Sequence, residues 1–264
     1  GSFNDNGYSV DIDMNGNIII AGYFLGTADF NPGAGTYQLS SSGSYDIFVQ
    51  KLDASGNFVW AKKMGSNLID QAYSVKTDQS GNVLTSGYFQ GSVDFNPGAG
   101  THILNCNGDV DVFIQKLDAS GNFVWAKSIG DYSTDQAYSL TVDTLDEIYF
   151  TGVFKETVDF DPGSGTTNIT SQGGFDIFIE KLDKNGHFKW VKTIGNGSSE
   201  GVYSIFLDTA FNIYTCGHFY NTVDFNPNAG VNNLTSNGQK DFFVLKLSQC
   251  SPSYSTINAD VCES

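Results

Sequence analysis

Apolar and polar positions in this chain fall into short runs separated by turn residues. No segment sustains a helical period. Tyr8–Ile12 reads as a short strand, Asn15-Gly-Asn17 as a hairpin turn, and Asn17–Phe24 as a strand rich in β-branched and aromatic residues. A long connection, Leu25–Tyr45, leads to a third strand at Asp46–Leu52. Asp53-Ala-Ser-Gly56 is a second tight turn, Phe58–Lys62 a fourth strand, and Gly65–Asp70 a link. In Ile47–Leu52 both faces carry large apolar groups, which suits a sheet covered on both sides.

The whole pattern then recurs. Asp46-Ile-Phe-Val-Gln-Lys-Leu-Asp-Ala-Ser-Gly-Asn-Phe-Val-Trp-Ala-Lys62 returns at Asp111, with thirteen consecutive identities from Gln115 to Lys127. It returns again at Asp176, and its front half at Asp241, each start 65 residues after the last. The repeats run 5–69, 70–134, 135–199 and 200–250, within a repeat domain over 1–250. Residues 251–264 form a tail or the start of a linker to a further domain. A fixed period of this kind decides the architecture before any local detail. Four antiparallel strands joined by tight turns and repeated radially predict an all-β fold, a β-propeller of four-stranded antiparallel blades. A stacked β-solenoid fits less well, because its coils are shorter and poor in hairpins. The fourth repeat lacks a Phe-Val-Trp strand, so ring closure within this chain is expected to be imperfect. The tail at Tyr254–Asn258, a larger ring, or a homodimer completing eight blades are the ways to make up the deficit.

The repeated pattern Tyr-Ser-x-x-x-Asp-x-x-Gly-Asn, Gly-x-Phe, Asp-Phe-Asn-Pro-Gly and Asp-x-Phe-x-x-Lys-Leu-Asp-x-x-Gly resembles the SBBP-type β-propeller repeats. The resemblance covers residues 5 to about 248. It implies a secreted or cell-surface protein of the kind found in Bacteroidetes with type IX secretion, and no shared catalytic residues. The SBBP name implies seven blades of shorter repeats, whereas this chain has four long ones.

Charge narrows the function. Against 29 acidic residues stand 13 basic ones, for a net charge of −16, and every basic residue is a lysine. Without arginine there is no bidentate fork for phosphate or carboxylate, so nucleic acid and anionic membranes are poor partners. No apolar run is long enough to insert in a membrane, and no signal peptide is visible. The resemblance implies an extracellular or cell-surface setting. There a disulfide between Cys250 and Cys262 is reasonable. Cys216 sits where other repeats have Ala21, Ser86 and Thr151, and Cys106 where they have a loop Ser.

Alternating strand direction sorts the connections onto two rims. Three acids per repeat are then expected to gather on the rim of the long connection. They are the loop Asp (Asp29, Asp94, Asp159, Asp224), the residue opening the third strand (Asp46, Asp111, Asp176, Asp241), and the residue opening the first (Asp5, Asp70, Asp135, Glu200). Asn31, Asn96, Asp161 and Asn226 follow the loop Asp. Calcium takes six to eight oxygens from such carboxylates, amides and loop carbonyls, so the first two sets with these four residues are candidate calcium ligands. The alternative is that Asp and Asn cap turns through local backbone bonds. Asp11-x-Asp13-x-Asn15-Gly16-Asn17 starts like a calcium loop but has Gly22 where a bidentate Glu is needed, and reads as a hairpin turn.

Trp60, Trp125 and Trp190 recur on one strand, as packing between blades requires. Lys51, Lys116, Lys181 and Lys246 recur mid-strand, expected to pair with acids while their stems pack. His102, His187 and His218 hold unrelated repeat positions, which disfavours a histidine centre. The expected function is a non-enzymatic scaffold or recognition module for protein or glycan. The alternative is a carbohydrate-active enzyme with carboxylates on the long-loop rim. It is disfavoured because a catalytic pair should break the repeat.

Overall fold

The computed structural model describes residues 1–249. These are strands and turns, with no helix among them. The calls on Cys250, Tyr254–Asn258, Cys262 and the tail lie outside the described residues.

The first repeat builds β1 (Asn6–Ile12), β2 (Ile18–Phe24), β3 (Thr27–Asp29), β4 (Gln38–Ser40), β5 (Asp46–Leu52) and β6 (Phe58–Met64). The second builds β7 (Gln71–Thr77), β8 (Val83–Phe89), β9 (Ser92–Asp94), β10 (Ile103–Asn105), β11 (Asp111–Leu117) and β12 (Phe123–Ile129). The third builds β13 (Gln136–Val142), β14 (Ile148–Phe154), β15 (Thr157–Asp159), β16 (Asn168–Thr170), β17 (Asp176–Leu182) and β18 (Phe188–Ile194). The fourth builds β19 (Gly201–Leu207), β20 (Ile213–Asp224) and β21 (Asn233–Leu247). Each of the first three repeats is a four-stranded antiparallel meander, β1-β2-β5-β6 and its equivalents, with a separate two-stranded hairpin such as β3-β4. The fourth sheet has three strands, β19-β20-β21.

The four sheets are blades of a β-propeller. Their first strands stand side by side at the axis, β1 against β7, β7 against β13, β13 against β19. One bond marks each step: the amide of Val75 donates to Ser9 Oγ at 3.1 Å, Leu140 to Ser74 at 3.0 Å, and Ile205 to Ser139 at 3.2 Å. The cores lie between blades. Ile19, Ile47, Val49 and Trp60 of the first blade pack with Val75, Phe89, Phe95 and Phe113 of the second, and the same contact recurs twice more. Each fully buried aliphatic or aromatic side chain contributes about 1.5–3 kcal/mol. The described blades form an open arc, since β19 and β1 do not meet as the other first strands do.

The recurring Gly-x-Phe is explained by a bulge. Between Gly7 and Ser9 the β1–β2 register shifts, and the same shift recurs at Ala72/Ser74, Ala137/Ser139 and Val202/Ser204. It drives a carbonyl of the first strand onto Gly22, Gly87, Gly152 and Gly217, where a Cβ would overlap that oxygen.

The long connection Leu25–Tyr45 holds the β3-β4 hairpin. The chain reverses at Gly26, where φ is 73°. Phe30 then packs against Phe24 and Phe48, with ring centroids at 5.2 and 5.0 Å. Three-residue strands are too short to show a period in the sequence, so tertiary packing makes this element.

Candidate recognition surface

The tight-turn rim is built from one repeated device. Asp13 accepts from the amides of Asn15 and Asn17, both at 2.9 Å, and from the Asn17 side chain at 2.8 Å. Lys51 Nζ reaches it at 2.9 Å. Burial works to raise the Asp13 pKa, but these hydrogen bonds outweigh it and hold the carboxylate at about 2. Asp78 and Lys116 repeat the pair at 2.8 Å, and Lys181 meets Glu147 at 2.5 Å. The mid-strand lysines thus tie a blade's third strand to its first turn. Lys246 instead lies over the Tyr214 ring, 5.4 Å from its centroid.

The second rim carries the strand-opening acids. Asp46 Oδ2 accepts from the Ser42 amide at 3.0 Å, and Asp111, Asp176 and Asp241 accept in the same way from Asn107, Gln172 and Asn237. Asp70 accepts from the amides of Ser66 and Gln90, tying the inter-blade link to the end of β8. Burial pushes Asp70, Asp111 and Asp176 up to about 6, and Asp135 and Glu200 up to about 7. Gly65, Gly130 and Gly195 close over Asp46, Asp111 and Asp176, where a Cβ would overlap the carboxyl.

The loop acids Asp29, Asp94, Asp159 and Asp224 are elsewhere, and the expectation that all three sets share one rim is corrected here. Reversal at Gly26 sends β3 back across the blade. The tip Asn31–Gly35 then lies beside Gly56, Asn57 and Phe58 at the tight-turn rim. Asp29 Oδ1 accepts from Asn31 at 3.0 Å and from Tyr37 at 2.8 Å, and Asn31 Oδ1 accepts from Gly33 at 2.8 Å. Asp94 with Asn96, Asp159 with Asp161, and Asp224 with Asn226 repeat this nested cap. Among the described residues, no three acidic, histidine or cysteine side chains are grouped as a metal ion would need.

Trp60 Nε1 donates to the Ala119 carbonyl of the next blade at 3.3 Å, placing the first tryptophan between blades. The histidines stand apart. His102 takes the place of Tyr37 and stacks on Phe123, His187 caps the Asp183 turn, and His218 bonds Tyr203.

One concave site draws on all four blades. A groove of about 860 Å³ opens on the tight-turn rim at the axis. Its walls are the ends of the first strands and the turns after them, with Met14, Lys76, Gln79, Thr144 and Phe211 among the lining residues. Met14 is 80% exposed. The first two turns use Gly16 and Gly81 in the left-handed region. Asp146 and Phe211 hold the same place in the third and fourth, each with φ of 62°. For a residue as bulky as Phe this is a strained conformation. Each carboxylate of the groove is engaged. Asp11 bonds Lys76 and Thr77, Asp78 pairs with Lys116, and Asp143 and Asp208 cap their own turns. The groove was not anticipated from the sequence. Its one legible signal was the loss of glycine at positions 146 and 211.

No family model matches the chain. It is 28% identical, over 274 residues, to an uncharacterized WD repeat-containing protein of Acanthamoeba polyphaga mimivirus, across 90% of this chain and 20% of that protein. It is 24% identical, over 160 residues, to the regulatory protein FlaEY of Caulobacter vibrioides, across 60% of this chain and 16% of that protein. The chain thus spans a fifth or less of the length of these relatives. The repeated antiparallel sheets and the WD-repeat relative agree on a repeat propeller. Among the described residues no helix is long and apolar enough to cross a membrane.

Proposed function

We propose that this chain is a non-catalytic recognition scaffold whose axial groove takes an extended peptide segment of a partner protein. The observation that carries the reading is the groove itself, about 860 Å³, walled by all four blades and holding Phe211 in a strained conformation. A rigid cleft with a few apolar side chains among polar ones is the usual form of a binding site. Strain retained at such a place is a pointer to function. The WD-repeat relative supports a scaffold. The net charge of −16 favours a basic or neutral partner. The repeat pattern, through its resemblance to SBBP-type repeats, supports an extracellular or cell-surface setting.

A hydrolase reading finds no support in the groove. A general acid and a base must face substrate with carboxyl groups free to exchange protons. Here Asp11, Asp78, Asp143 and Asp208 are each committed to a lysine or to turn amides. The test is a peptide library and a glycan array probed with the 264-residue chain. Peptide hits whose affinity falls about tenfold in Phe211→Gly or Met14→Ser, as loss of one good anchor does, support the reading. Glycan hits alone, or peptide hits indifferent to both substitutions, overturn it.

A further inference from the structure

The bulge in each first strand leaves one residue without a partner in the ladder, and that residue is a tyrosine every time: Tyr8, Tyr73, Tyr138 and Tyr203. A bulge re-aims the side chain it frees. Here the freed rings meet at the axis, where the first strands stand side by side. The Tyr73 ring lies 4.9 Å from Tyr8 and 5.6 Å from Tyr138, centroid to centroid. Tyr88, on the second strand of the same blade, lies 5.6 Å from Tyr73. The bulge comes early in the first strand, so this wall of rings stands at the link end of the axis. The groove stands at the other end.

Packing between blades does not account for the wall. Val75 and Leu140, which do pack there, are fully buried, whereas Tyr73, Tyr88 and Tyr138 remain partly open to water. The second and third blades have a blade on either side, so the opening belongs to the repeat itself. The rings are also turned rather than stacked. Tyr73 makes angles of 81°, 44° and 51° with Tyr8, Tyr138 and Tyr88. A flat platform of parallel rings suits a sugar, whereas angled faces close around a small rounded group. The hydroxyls are tied back, Tyr73 donating to Gln71 Oε1 at 2.9 Å and Tyr138 to Gln136 Oε1 at 2.5 Å. A phenol that donates its proton keeps its ring electron-rich. Burial pushes the Tyr138 pKa up to about 12, which keeps that phenol neutral at ordinary pH. Asp70 and Asp135 open the same two strands and carry acid charge on this rim. A positive charge enters only at the fourth blade, where burial, with Lys240 nearby, lowers the His218 pKa.

We infer that the tyrosine wall is a second binding site, and that it takes an alkylammonium group such as the lysine side chain of a basic partner. Tyr73 and Tyr138 present their faces to the cation, flanked by Tyr8 and Tyr88. A cation over aromatic faces is attracted by the ring quadrupole, and a neutral group of the same shape is not. The net charge of −16 raises the local concentration of cations around the whole chain.

Proton NMR of tetramethylammonium in the presence of the 264-residue chain tests this. Tert-butanol serves as a neutral probe of similar shape, and maltotriose as a sugar. Methyl groups held over ring faces are shielded and move upfield. A saturable upfield shift is expected for tetramethylammonium, a much smaller one for tert-butanol, and none for maltotriose. Tyr73→Leu and Tyr138→Leu are each expected to weaken binding about tenfold. Tyr73→Phe keeps the ring face and is expected to retain binding. Phe211→Gly alters the groove at the far end and is expected to leave this site unchanged, which separates a failure here from a failure of the groove. The comparison of the two small probes needs no variant, so it decides the matter even where a leucine variant does not fold. No shift for tetramethylammonium, equal shifts for both small probes, or a response to maltotriose instead overturns the proposal. So does binding that is indifferent to both leucine substitutions, lost in Tyr73→Phe, or lost in Phe211→Gly.

Discussion

Among the described residues, Glu180 is the acid that breaks the repeat inside the core. Gln50 and Gln115 hold its place in the first two blades, and each donates its amide to a carbonyl, that of Phe30 or Phe95. Glu180 is fully buried, and neither carboxyl oxygen has a partner among the described residues. Burial, with the charges of Asp161 and Asp159 nearby, pushes its pKa well above 4.5. Protonated, it supplies a donor as the glutamines do. The folded chain then keeps a proton that the unfolded chain releases above its ordinary value, so stability falls as pH rises beyond that value. Glu180→Gln is expected to raise the melting temperature at neutral pH and to do little near pH 4. An equal effect at both pH values would refute it. Phe211 carries a backbone strain of about 1–2 kcal/mol in the left-handed region. Phe211→Gly should relieve part of it, so thermal unfolding is expected to show a small gain in stability beside the loss of binding. Both residues are legible only as departures from the 65-residue period, and only the structure says what each departure touches.

At the scale of elements, the hairpins explain why so many Asp and Asn residues recur. A three-residue strand pair has too few ladder bonds to hold itself. Asp94 adds two backbone bonds, at 3.0 and 2.8 Å, and Asn96 adds a third. Asp94→Ala is expected to cost about 1–2 kcal/mol, the usual loss for a capping side chain. Denaturant unfolding measures it. If capping is the whole role, neither a chelator nor excess calcium will move the melting temperature of wild type or variant. A calcium-dependent gain in the wild type that is lost in Asp94→Ala would restore the metal reading, because a ligand bound only to the folded state stabilises it. The bulge in the first strand of each blade is the other element-scale device. Gly87→Ala is expected to destabilise by about 3 kcal/mol, since the opposing Gln71 carbonyl is backbone and cannot step aside.

Across the whole molecule, two classes of carboxylate set opposite limits on stability. The buried link-rim acids Asp70, Asp111, Asp135, Asp176 and Glu200 have pKa values raised to about 6 or 7. Folding binds protons there, so their contribution is full below the ordinary carboxylate range and is lost as pH rises toward 7. The turn acids Asp13, Asp78, Asp118 and Asp183 are held low by hydrogen bonds that outweigh burial. Their contribution is present above about 4 and is lost as pH falls. Stability is therefore expected to peak near pH 4 and to fall as pH rises from there toward 7. A melting temperature that rises steadily from pH 5 to pH 8 would contradict this.

The sequence by itself determined the blade's four long strands, its two tight turns, the 65-residue period and the antiparallel order. These depend on contacts between near neighbours, and near neighbours leave a period that can be read directly. The mid-strand lysines and the tryptophans were legible for the same reason, because a contact made in each of the first three blades leaves the same residue in each. Where the loop acids lie was decided only by tertiary structure, since a hairpin stabilised by Phe30 on Phe48 reverses the chain and carries Asp29 away from Asp46. The axial groove likewise exists only when four separated turns meet.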